Sequence, residues 1–185
     1  MEGVEANTPT VTGASMTWTA VANRPSTLDN RNKLTVFRSL NASPGSGALT
    51  IDFAAQGQFR SAWSISEFGG MKTSGTNGAD AVVQSASNDG SGSITSLTVT
   101  LGAFASTDNA TYGAFSASTN AAISPGAGFS ELGEADGASF GSIETEWKNS
   151  NDTSVDTTFG ASDHVCGIAI EIAASVSAGN FFLVL

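Results

Sequence analysis

The chain has 185 residues, enough for one domain, and at that size about 70% of the unfolded surface can be buried without metals or disulfides. Hydrophobic residues make up 40% but charged residues only 13%, against about 25% in an average globular protein, so the surface must be built mainly from Ser, Thr, Asn, Gly and Ala. A formal net charge of −10, with seven Lys and Arg scattered singly, excludes a basic stripe and with it nucleic acid as a direct partner; a single cysteine, Cys166, excludes an intrachain disulfide and a thiolate zinc cluster.

Residues 1–13 are polar, contain a proline and read as an N-terminal arm; "MEGVEANTPT" lacks the basic start and apolar run of a secretory signal. Period-two alternation then recurs along residues 14–174, and no helical stripe competes with it. "SMTWTAVA" sets Met16, Trp18 and Ala20 on one face, and "KLTVFRSL" sets Leu34, Val36 and Leu40. In "ALTIDFA" the apolar set is Leu49, Ile51 and Phe53, and in "QFRSAWSISEF" it is Phe59, Trp63 and Ile65, all expected inside. "SITSLTVTLGAF" continues with Leu97, Val99 and Leu101. The next run, "ATYGAFSA", reads as a weak strand, because glycine and alanine leave little to bury.

"SFGSIETEWK" places Ile143, Thr145 and Trp147 on one face and Glu144, Glu146 and Lys148 on the other, the pattern of a strand with one wet face. "VCGIAIEIAAS" places Cys166, Ile168, Ile170 and Ile172 opposite Val165, Ala169 and Glu171. Clusters such as "NASPGSG", "SNDGSGS", "STNAAISPGAG" and "KNSNDTS" separate the runs as turns, giving an all-β, antiparallel, jelly-roll-like sandwich. Residues 175–185 read as a C-terminal tail or docking strand. Its end, Phe181, Phe182, Leu183, Val184 and Leu185, is too short to span a bilayer, so no membrane role follows, and too apolar to be left uncovered. Those five residues either close the body as a last strand or lie on another subunit.

Chemistry-bearing patterns are sparse. Gly137-Ala138-Ser139-Phe140-Gly141 matches the G-x-S-x-G nucleophile pattern, with Asp163 and His164 downstream. That elbow needs a strand before the serine and a helix after it, whereas "GEADGA" precedes it and the strand "SIETEW" follows. Ser139 is therefore read as part of a turn, His164 as a rim residue, and no residue as catalytic. Glu144 and Glu146, at i and i+2 on a strand, lie about 6.5 to 7 Å apart, a separation open to a glycosidase pair, but a solvated face is the simpler reading. Asn88-Asp89-Gly90 faintly resembles a calcium loop, yet Ser96 stands where the closing glutamate belongs. A hairpin turn at Asp89-Gly90 is expected instead, with no metal site and no cofactor. Tyr112, with Asn109 nearby, is the one ring left available for a ligand.

The stretches "GASMTWTAVAN", "LTVFRSL", "SGALTIDF", "SAWSISEFGGM", "PGAGFSELGE", "SIETEWK" and "HVCGIAIEIAAS", in this order over about residues 12–174, resemble a group of β-sandwich domains in tailed-phage virion proteins. That resemblance implies a non-enzymatic structural role in a virion, foremost capsid decoration or cementing. Its implied partners are the major capsid protein or other virion subunits, with a homotrimer as the expected oligomer. It carries no catalytic residues. The alternative expectation is a carbohydrate-binding or adhesion module with a glycan partner, and a hydrolase comes third.

Overall fold

Alternating β-branched and small polar residues leave the backbone to find its partners between strands, and the chain does so almost throughout. The structure, a computed structural model, describes residues 8–27, 32–58, 60–90, 92–136, 141–175 and 180–184. Its strands are β1 (Thr10–Gly13), β2 (Thr19–Pro25), β3 (Lys33–Ser39), β4 (Leu49–Asp52), β5 (Ile65–Gly69), β6 (Val82–Asp89) and β7 (Ile94–Thr100). Then follow β8 (Ala110–Ala117), β9 (Ile123–Pro125), β10 (Ser130–Asp136), β11 (Ser142–Lys148), β12 (Ser154–Asp163), β13 (Val165–Ile172) and β14 (Asn180–Val184). A short 3-10 turn, Thr76–Ala81, leads into β6.

The strands make four antiparallel sheets, ordered β10-β11-β8-β13-β6, β2-β3-β14-β5, β7-β12-β9 and β1-β4. The five-stranded sheet is the middle of the stack. On one side Tyr112, Ala114, Ile143, Cys166, Ile168, Ile170 and Ile172 meet Leu34, Val36, Phe68 and Leu183 of the four-stranded sheet. On the other side Phe115, Ala117, Val165 and Ala169 meet Leu97, Val99, Ile123, Val155 and Phe159 of the three-stranded sheet. The β1-β4 ribbon covers the outer face of the four-stranded sheet, where Val11 packs with Phe37 and Val184. The chain is thus an all-β antiparallel sandwich with more than two layers.

Double coverage changes several expectations. "ATYGAFSA", read as a weak strand, is β8, the centre of the middle sheet and buried at every position. Its glycine and alanines are small because layers press on both faces. Tyr112, held available for a ligand, is 1% exposed and sits edge-on to Phe68 at 5.9 Å, so it is a core residue. In β5 and the residues just before it the inward set is Ala62 and Phe68, while Trp63 and Ile65 are 50% and 45% exposed; Phe59 lies outside the described residues. Trp147 packs on Phe68 at 4.6 Å, and Trp18 packs against the third cluster, as expected for core rings. Asp89-Gly90 is not a hairpin turn, because β6 and β7 belong to different sheets.

Both ends of the described chain are spent on the body. Thr10–Gly13, in the stretch read as an arm, pairs with β4. Asn180–Val184 is an interior strand between β3 and β5. Leu183 and Val184, expected as subunit contacts, are fully buried in their own chain, one in each of two cores; Leu185 lies outside the described residues, and Phe181 and Phe182 contribute backbone to β14. An interior strand cannot be removed without orphaning the ladder on both sides of it. Leu183→Ala is therefore expected to cost about 2–5 kcal/mol in urea denaturation, and deletion of residues 180–185 should abolish the cooperative transition rather than leave a stable body.

Candidate functional site

The unusual chemistry lies on the face of the middle sheet that meets the three-stranded layer. Alternation along β11 turns Ser142, Glu144 and Glu146 to that face, and alternation along β13 turns Glu171 there. All three glutamates are fully buried. This overturns the solvated-face reading of Glu144 and Glu146: the face opposite Ile143 and Trp147 is covered by another sheet.

Glu171 is well provided for. It accepts hydrogen bonds from Gln84 Nε2 at 2.6 Å, Asn109 Nδ2 at 2.5 Å and the Ala105 N–H at 2.8 Å. Asn109 thus serves a core carboxyl, not a ligand beside Tyr112. Glu146 has one such donor, the N–H of Gly126 at 2.8 Å. Its other oxygen, and both oxygens of Glu144, have no hydrogen-bond partner among the described residues.

Two glycines make room for this arrangement. A Cβ on Gly113, directly across from Glu146, would lie 2.7 Å from Glu146 Oε1 and 2.8 Å from Val155 Cγ1. A Cβ on Gly126 would meet the Asp156 carbonyl oxygen at 2.1 Å. The glycine of "TYGAF" is therefore the socket for Glu146, the second glutamate of "ETEW", while the first glycine of "PGAGF" lets its segment close on the Asp156 backbone and so bring the Gly126 N–H to that glutamate.

Electrostatics follow from the burial. Loss of water, then the nearby charges of Glu146, Glu131 and Glu134, push the Glu144 carboxyl up to about 9. Burial likewise raises Glu146; the Gly126 N–H pulls it back, Asp156 and Asp152 push further, and it stands at about 7. Burial, and then the neighbouring Glu144, raise Tyr112 as well. Glu131 and Glu134 of β10 lie directly across from Glu146 and Glu144. Glu134 Oε1 accepts from the Ile123 N–H at 3.1 Å and also lines a hollow of about 250 Å³ with Asn120, Ala121, Ala122, Ala135 and Asp136. A proton-holding carboxyl pair is what general acid chemistry uses, but full burial leaves a glycoside no path to this one.

The remaining candidates are dispersed. Residues 137–140, with Ser139, lie outside the described residues. Asp163 is buried and accepts from Ser118 Oγ, from Thr119 N and Oγ1, and from the His164 N–H, so it pins the turn after β8. Asp89 is clasped by Arg24 and Thr27. Burial pushes its carboxyl up, but those hydrogen bonds and the Arg24 charge win and hold it at about 2. Among the described residues no group of three or more His, Cys, Asp or Glu is placed to hold a metal ion. The sequence signal missed in reading Glu144 and Glu146 was Gly113: its missing side chain makes sense only if something must fill that face.

No family model matches this chain, and no curated protein or solved structure matches it either.

The contrast among the buried glutamates is measurable. Glu171→Met leaves three donors unsatisfied and is expected to destabilise by about 1–3 kcal/mol or more. Glu144→Met removes a carboxyl that has no hydrogen bond among the described residues and is expected to be neutral or stabilising at pH 8. Gly113→Ala, forced against Glu146 and Val155, is expected to cost about 1–3 kcal/mol. Denaturant curves of the three variants at one pH check the order.

Proposed function

We propose that this chain is a non-enzymatic structural protein of a virion, a decoration or cement subunit that attaches through its outer sheet edges to the major capsid protein. The observation that carries this reading is the placement of Trp63 and Ile65, half-exposed just before and at the start of the free edge strand β5, on a body whose central strands β8, β11 and β13 are covered on both faces. Such a body recognises partners by surface and not by cavity. Leu132, 40% exposed at the bulge of edge strand β10, adds a second apolar point, and Ser64 beside Gly133 brings the two edges together. Further support comes from the ordered motifs that resemble those of phage β-sandwich domains, and from an acidic composition that discourages promiscuous sticking. Assembly as a homo-oligomer, a trimer at a symmetry axis, belongs to the same reading.

Trp63 also favours a second reading, an adhesion module that stacks a sugar on the exposed indole. One variant separates them. Trp63→Ala is expected to keep the melting temperature and weaken co-sedimentation with particles by roughly tenfold or more, as loss of an aromatic anchor does. If the native chain leaves particles bare in imaging but is retained on a glycan array, with Trp63→Ala lost from it, the adhesion reading replaces the decoration one.

A further inference from the structure

The fold buries two carboxyls of β11, Glu144 and Glu146, beneath a short edge segment. β9 is three residues long, at the free edge of the three-stranded sheet, and pairs only with Thr157–Phe159 of β12. The carbonyls of Ala121, Ala122 and Ser124 accept from Ser142 Oγ, the Gly160 N–H and Thr157 Oγ1, and two further bonds tie the segment to glutamates: Ile123 N–H to Glu134 and Gly126 N–H to Glu146. On the same face of β11, Glu144 stands between Ser142, bonded to Ala121, and Glu146, bonded to Gly126, and has neither oxygen bonded among the described residues.

We propose that Glu144 and Glu146 form a proton-operated latch that seats the β9 segment and its flanks, residues 121–129, on the middle sheet while both carboxyls are protonated and releases it when they ionise.

The surroundings decide the direction. From β10 the pair faces Glu131 and Glu134, with Asp136 one position further along; from β12 it faces Asp156, and from the β11–β12 turn Asp152. β8 contributes Tyr112, and β9 itself, Ile123–Pro125, contributes no titratable group. The cation on the same strand, Lys148, is engaged with Asp152 at 2.6 Å. A proton lost from Glu144 or Glu146 thus leaves a buried negative charge among negative neighbours. The cheapest relief is water, and β9 is the cover most easily lifted to admit it. Both carboxyls bind protons more tightly in the closed state than in the open chain. Closure is therefore complete below the ordinary glutamate range and is lost as pH rises, first through about 7 and then through about 9. The acid side behaves oppositely: the Arg24–Asp89 clasp, with its carboxyl held low, is lost only as pH falls towards about 2.

Hydrogen exchange of the full chain between pH 5.5 and 9, corrected for the intrinsic rate, tests this. Protection of peptides within 121–129 should fall by up to about tenfold per pH unit for each proton released, while peptides of β13 stay protected. The double variant Glu144→Gln, Glu146→Gln should show no such fall. Constant protection in the native chain, an equal fall in β13, or the same fall in a folded double variant each overturns the latch. If the double variant does not fold, 13C titration of the native glutamate carboxyls decides: two carboxyls titrating above pH 6 uphold it, and none doing so overturns it.

Discussion

The structure depends on the middle sheet being covered on both faces. A sheet with one wet face can send its polar side chains to water, whereas a sheet between two others must satisfy every group from within. Here that burden falls on β8, β11 and β13, buried over nearly their whole lengths. Small residues on β8 let the outer layers approach. Isoleucines on β13 fill one interface, and Phe115, Val155 and Phe159 fill the other.

Within that sealed layer the two ends of one face are treated differently. At the β13 end, a glutamine, an asparagine and a backbone N–H converge on Glu171, as a buried carboxyl requires. At the β11 end, Glu146 has a single donor, Gly126, Glu144 has none among the described residues, and the two sit across from two further glutamates. Where donors are plentiful a buried carboxyl knits strands together. Where they are scarce it can be kept only by holding a proton, and stability there becomes tied to pH.

The attachment through sheet edges and the release of β9 proposed above are compatible in one body. The deepest burial lies at the centre of the stack, and the half-exposed apolar side chains and the three-residue edge strand lie at its rims: Trp63 and Ile65 just before and at the start of β5, Leu132 on β10, and β9. Rigidity at the centre gives the rims a fixed frame to act from.

The sequence by itself determined that the chain is β throughout, because alternation is a property of neighbouring residues and needs no tertiary information. It also placed Leu97, Val99 and Leu101 on one buried face and Trp147 in a core, since each shares its parity with other apolar residues. Only the tertiary structure decided how many layers there are, and that number fixed the rest. Period two says which residues share a face, but not whether a polar face meets water or another sheet. Hence Glu144, Glu146 and Tyr112 were misplaced, Trp63 and Ile65 were assigned to the wrong side, and "FFLVL" could not be resolved between its own sheet and a neighbour's. Strand order, set by pairings such as β14 with β3 and β5 across more than a hundred residues of chain, is a long-range choice that local alternation does not encode.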